Sequence, residues 1–208
     1  MSTLNADVIS VVGGGWSFKE VDHSKIPGMV IATNDAGLML RRPVQHIVTM
    51  DRLWTEYRWP KLIERKVSFW ARRSALQNVK TWRDHSWVSR FENNEKTVEF
   101  SETADVLNGT NSGGCALNLA YILRPRILYM FAFDMCHSPA GEAYWYPPYP
   151  WTNKKGGTKP GWYNRWAREF DQIAAQFAKI ETKVVNVSSV SRITSFEKRS
   201  PAQMGMAV

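Results

Sequence analysis

A short apolar run that ends in three consecutive glycines constrains this chain more than any other segment. Asp7-Val-Ile-Ser-Val-Val12 leads directly into Gly13-Gly14-Gly15-Trp16-Ser17-Phe18. A β-branched run of this length that stops at glycine reads as a buried parallel strand feeding a tight turn. Glycine permits positive φ, and its missing Cβ lets a phosphate approach backbone N–H groups. Phe18 breaks the strict G-x-G-x-x-G spacing, and glycines after a first strand also serve close packing. Both readings stay open on this segment alone.

Three further apolar runs end abruptly in polar residues. Met29–Thr33 stops at Asn34-Asp35, His46–Met50 at Asp51, and Ile127–Phe133 at Asp134. In an open parallel sheet, ligands bind just beyond the carboxyl ends of strands, so these ends should converge on one crevice. Lys183–Val187 reads as a last strand. Ala116, Leu119, Ala120 and Leu123 share one helical face, and Trp166, Phe170, Ile173, Ala174 and Phe177 mark a second helix. The expectation is a single α/β domain over residues 1–208, with a mostly parallel, doubly wound, Rossmann-like sheet. Residues 52–107 read as an irregular basic and aromatic insertion. Within it Val67–Trp70 suits a strand, and Lys96–Phe100 alternates like an exposed edge strand. The Pro/Gly/Trp/Tyr-rich stretch 137–162 reads as a lid loop.

At 208 residues and 44% hydrophobic, the chain suits one sizeable core. No run reaches the roughly 18 apolar residues needed to span a bilayer. The first residues lack the basic and apolar regions of a secretory signal. Cys115 and Cys136 sit in no metal-ligand spacing. A cytoplasmic protein without integral membrane association is expected. The net charge of +8 gathers at Arg41-Arg42, between Arg52 and Arg90, and at Lys154–Lys159. Such charge attracts nucleotides or nucleic acid, DNA included, and equally serves solubility. Ten tryptophans, many interleaved with Arg and Lys, can stack on bases or sugars or form the core under irregular loops.

Two Gly/Ser elements precede helical segments: Gly13, Gly14, Gly15 and Ser17, then Asn111, Ser112, Gly113 and Gly114. A helix N-terminus offers unpaired N–H groups and partial positive charge to an anion; alternatively Ser112 is simply an N-cap. Asn34 and Asp35 lie where a base or ribose is often read. Asp51 and Asp134 can hold ribose hydroxyls, a metal or an acceptor hydroxyl, or can cap helices. His137, three residues past the strongest strand, is the best-placed general base. His46 reads as structural. There is no nucleophile elbow, paired-His motif or Walker lysine, and no metal ligand set is assigned.

The segment Gly13–Pro27 resembles the opening of the bacterial lipooligosaccharide sialyltransferases, where a strand runs into a Gly-Asn-Gly-Pro-Ser-Leu-Lys turn. Thr110-Asn-Ser-Gly113, Phe133-Asp134 and Asn186-Val-Ser-Ser resemble later parts of that family, and Asn34 falls where it places a nucleotide-contacting Asn. The pattern also resembles phage proteins and the archaeal hydroxymethylpterin pyrophosphokinases. Residues 7–51 and 108–200 carry the resemblance. It implies a glycosyltransferase using a nucleotide-sugar donor, with DNA or a glycan as acceptor. The pterin relatives imply instead a magnesium-dependent transfer of diphosphate from a nucleoside triphosphate. A module that binds nucleotide or nucleic acid without turnover is the third reading. Two departures stand out: the family's middle Asn is Gly14 here, and its catalytic His is replaced at Trp162 or Tyr163.

Overall fold

A computed structural model describes residues 7–151 and 159–208 of the chain. Eight strands form one sheet: β1 (Val8–Val12), β2 (Met29–Thr33), β3 (His46–Thr49), β4 (Ser68–Arg72), β5 (Val88–Phe91), β6 (Ile127–Phe131), β7 (Lys183–Val187) and β8 (Glu197–Arg199). Their order is β5-β4-β3-β2-β1-β6-β7-β8, and every neighbouring pair is parallel. The chain winds outward from β1 to β5, then crosses back to β6 beside β1. This is the doubly wound, Rossmann-like α/β architecture expected from the apolar runs.

Helices cover both faces: α1 (Asp35–Met39), α2 (Arg52–Arg65), α3 (Ser112–Leu123) and α4 (Pro160–Lys179). Successive strand residues point to opposite faces, so each central strand feeds two cores. Ile9, Val11, Ile31, Val48, Leu128 and Met130 pack with α3 and with Phe170, Ile173 and Phe177 of α4. Val12, Val30, Ala32, Ile47, Phe69 and Phe131 pack on the other face with Phe18, Trp54 and Leu62. α3 lies across β1, β2 and β3 and is buried nearly all round, which explains its continuous apolar sequence.

The middle of the chain departs from expectation. Residues 52–107 are not an irregular insertion: they contribute α2, β4 and β5 to the main fold. Helix α2 carries Pro60 in its interior, and its apolar positions are sparse, so no clean periodicity marks it. Trp54 is fully buried, and Trp59, Trp82 and Trp87 pack against the same core. Trp54 belongs wholly to the core, and the other three are partly buried against it.

Lys96–Phe100 forms no strand. Its alternation arises because Val98 and Phe100 pack against the α3–α4 core. A side chain takes the place of a strand partner: Gln176 of α4 accepts from the Phe100 N–H at 2.5 Å and donates to the Val98 carbonyl at 2.7 Å. Buried Asn118 does the same for the next loop, accepting from the N–H groups of Ser101 and Asn108. Within the stretch expected to be a lid, residues 137–151 carry no helix or strand and 160–162 begin α4; residues 152–158, with Lys154 and Lys155, lie outside the described residues.

Candidate functional site

A cleft of about 400 Å³ opens at the carboxyl ends of β1, β2, β3, β4 and β6. It straddles the gap between β1 and β6, where the strand order reverses and open α/β sheets bind ligands. Gly13, Gly14 and Gly15 form one wall, Asn34 and Asp51 another, and Asn111, Ser112 and Gly113 a third. Asp134 closes the floor.

The glycine turn extends the β1–β6 pairing past the strand ends. Gly13 N–H donates to the Phe131 carbonyl and Gly15 N–H to the Ala132 carbonyl, both at 2.9 Å. A Cβ on Gly15 would stand 2.5 Å from the Ala132 oxygen and 2.6 Å from Asp134 Oδ2. One on Gly14 would stand 2.7 Å from the Tyr146 hydroxyl. Packing alone therefore requires glycine here, independently of any ligand.

Asp134 locks that turn. Its Oδ2 accepts from Ser17 N–H at 2.8 Å, and its Oδ1 accepts from the hydroxyls of Ser17 at 2.6 Å and Ser188 at 2.8 Å. The side chain is 1% exposed. Burial pushes its carboxyl above the usual carboxylate range, while the Ser17 and Ser188 hydrogen bonds pull the other way. With both oxygens occupied by protein donors, Asp134 is a positioning group that joins the ends of β1, β6 and β7. Ser17 is buried in this network and does not line the cleft.

Asn34 sits at φ +49° and ψ −132°, outside the left-handed helical well and in a region that favours glycine. Its Oδ1 is buried with no hydrogen-bond partner among the described residues, and the residue lines the cleft. A buried acceptor without a partner is costly unless water or a bound group pairs with it. Asp35 behaves differently. It is fully buried and turned to α2, accepting from Trp54 Nε1 at 2.9 Å and from Arg58 Nε and Nη2 at 2.8 and 2.6 Å. Asp35 braces α2 on the sheet and is no part of the cleft.

Asp51 caps α2, its Oδ1 accepting from Trp54 N–H at 3.0 Å. Its Oδ2 has no protein partner among the described residues. Asn111 caps α3 by accepting from Gly114 N–H at 3.0 Å, and Ser112 Oγ accepts from Met50 N–H at 3.0 Å, fastening α3 to the end of β3. Gly114 is buried beneath the cap, outside the cleft lining. His137 also lies outside it. Its ring meets Tyr163 edge-on at 5.0 Å, and it lines a neighbouring hollow with Lys19 and Glu142. Tyr163 itself lines the cleft, whereas Trp162 is among the exposed large side chains.

Sequence reasoning missed Arg72, Tyr144, Tyr146 and Trp166, all of which line the cleft. Arg72 ends β4 immediately after the buried residues Phe69 and Ala71, a strand-end signal like those of Asp51 and Asp134. It forms an ion pair with Glu95, yet its Nε is buried without a partner. Tyr144 and Tyr146 stack with centroids 5.2 Å apart and planes within 4°. Burial pushes the Tyr146 hydroxyl well above its ordinary range. Among the described residues no three His, Cys, Asp or Glu side chains gather as a metal site.

No protein-family model matches the chain, and neither does any curated protein. Solved structures do. The sialyltransferase CstII from Campylobacter jejuni, in complex with the substrate analogue CMP-3FNeuAc, aligns with a TM-score of 0.56 at 15% identity. The alignment covers 94% of this chain and 86% of that one. A second structure of the same enzyme, with cytidine-5'-monophosphate, aligns at 0.55 and 14% identity over the same shares. The chain therefore has a sialyltransferase-like fold. No helix among the described residues is long and apolar enough to cross a membrane.

Proposed function

We propose that the chain is a glycosyltransferase that binds a nucleotide-sugar in the cleft at the β1–β6 switch point. The observation that carries this reading is the unpartnered, buried Oδ1 of Asn34 at the mouth of a glycine-walled cleft. That oxygen would accept from a base amino group or a ribose hydroxyl. Of the three glycines only Gly14 keeps an N–H that is not donated to the chain among the described residues; with the N-terminal N–H groups of α3 it would face the phosphate, and Arg72 would add positive charge. The same fold in CstII is solved with CMP and a CMP-sugar analogue, which supports a nucleotide-sugar donor.

Asp51 takes the role of general base in this scheme, in place of His137. It lines the cleft at the end of β3, and one carboxylate oxygen is left over from its capping bond. The acceptor oxygen would attack the anomeric carbon as the bond from that carbon to the phosphate oxygen breaks. The electron pair leaves with the phosphate, and Asp51 takes the acceptor proton. Tyr146 and Arg72 would stabilise the departing charge, as preorganised donors do in a partly enclosed site.

The test is nucleotide release from a panel of nucleotide-sugars, with Asp51→Asn as the variant because Asn also caps helices well. Wild type should release nucleotide from one donor, and the variant should bind that donor equally but turn over about 100-fold more slowly or worse. Unchanged turnover in Asp51→Asn would remove Asp51 as the base. No release from any donor would remove the transferase reading.

A further inference from the structure

A second concavity, about 770 Å³ in volume, adjoins the cleft at the carboxyl ends of β4 and β5. Arg72 lines both, so the two spaces meet at one side chain. Arg73, Lys80, Arg83 and Arg90 add four more cations, and Glu92 is the one carboxylate among its lining residues. Glu92 pairs with Arg73 at 3.3 Å. Lys80, Arg83 and Arg90 are exposed and have no carboxylate within ion-pair distance among the described residues. Three exposed cations without a carboxylate partner give the groove a positive potential that attracts anions.

Two other observations indicate what kind of anion. Trp82 lines the groove, with the Arg83 guanidinium 4.7 Å above its ring. Asn93 Oδ1 is buried in the groove wall without a partner, while its Nδ2 is spent on the carbonyls of Leu107 and Gly109. A cationic track with an aromatic face and a free acceptor suits a backbone of phosphates with unstacked bases. A duplex hides its base faces, which leaves nothing to stack on Trp82.

We infer that this groove binds single-stranded nucleic acid and leads it, past Arg72, to the cleft as acceptor. The binding stands on the groove alone; the acceptor role rests on the transferase reading. Phosphates would run along Lys80, Arg83 and Arg90, a base would stack on Trp82, and Asn93 would accept from a base amino group.

The experiment is fluorescence anisotropy with a labelled single-stranded oligonucleotide over a range of salt, with its duplex and a polysulfated polysaccharide as competitors. The expected result is binding that outcompetes both polymers at equal charge. The triple variant Lys80→Ala, Arg83→Ala, Arg90→Ala should bind at least 10-fold more weakly and flatten the log–log salt slope by about 2. All three residues are exposed, so the melting temperature should hold; Arg83→Gln alone should give a smaller loss of the same kind. Absence of binding, an unaltered triple variant, or tighter binding of the polysaccharide would overturn the inference. Nucleotide binding in the cleft, read separately by thermal shift, should be untouched by the triple variant. A wild type that shows the nucleotide shift but binds no oligonucleotide would overturn the groove and leave the transferase reading standing.

Discussion

The two glycine-rich elements that wall the cleft look alike in sequence and are built differently. The turn Gly13–Ser17 is held from a distance. Asp134, more than a hundred residues away in the chain, receives three hydrogen bonds from Ser17 and Ser188. The start of α3 is held by a local cap, Asn111 accepting from Gly114 N–H, and by a single long-range bond, Met50 N–H donating to Ser112 Oγ. The surroundings differ in the same sense. A Cβ on Gly15 would meet the backbone oxygen of Ala132 and the fixed Asp134 carboxylate, whereas one on Gly113 would meet the Asn111 and Phe133 side chains at 2.9 Å. One wall of the cleft is fixed by three bonds to a buried carboxylate; the other is a capped helix start with one tertiary bond and more room to adjust.

The largest effect should come from Asp134→Ala. It leaves Ser17 and Ser188 donors buried without an acceptor, a cost of about 3 kcal/mol or more. For a chain of this size that is roughly 6–12 °C in melting temperature. A loss no greater than that of a surface substitution would erase the distinction between the two walls. Gly15→Ala comes next, at about 1–3 kcal/mol from overpacking against backbone. Gly113→Ala should cost less, because side chains can move aside and alanine gains up to about 1 kcal/mol of helix propensity. Equal losses in the two glycine variants, measured by urea unfolding, would contradict a rigid and an adjustable wall. Asn111→Ala should cost about 1 kcal/mol, the usual value of an N-cap.

The comparison also has a pH signature. Burial raises the Asp134 carboxyl in the folded chain above its unfolded value of 3.8, so the native state holds that proton more tightly. Its contribution is fully present below 3.8 and is lost as pH rises through the folded-state value. The stability of wild type relative to Asp134→Asn, which cannot ionise, should therefore decline with rising pH across that window. A difference that is flat with pH, or that grows, would show that the Ser17 and Ser188 hydrogen bonds outweigh burial. Asn111 at the other wall does not titrate, and Asn111→Ala should show no such slope.

What could be read from the sequence follows from how each part is stabilised. β1, β2, β3, β6 and β7 are buried on both faces, so their apolar runs declare them, and the polar residues that end them declare the cleft. Gly13–Gly15, Asn34, Asp51, Asn111–Gly113 and Asp134 come together there for that reason. The edge half of the sheet was obscured because Trp54, Leu62 and Phe69 are spread among Arg, Lys and Glu, and because Pro60 interrupts α2. Lys96–Phe100 mimicked a strand because Gln176 supplies hydrogen bonds that a neighbouring strand would otherwise make. Asp35 followed a strand like the others, but a buried tryptophan and Arg58 turn it toward α2. Arg72 carried the same strand-end signal as Asp51, and the tyrosines of 144–146 could be placed only through tertiary contacts. His137 lay near in sequence to a strand end yet packs behind Tyr163.

Nucleotide recognition in this scheme turns on Asn34 and the cleft beside it. The most direct measurement is calorimetric titration of the chain with the nucleoside monophosphates, in wild type and in Asn34→Gly, which keeps the positive φ and removes the amide. The account predicts one nucleotide binding at a single site in wild type, with affinity lost at least 10-fold in the variant. Absence of binding by every nucleotide, or equal affinity in Asn34→Gly, would contradict it.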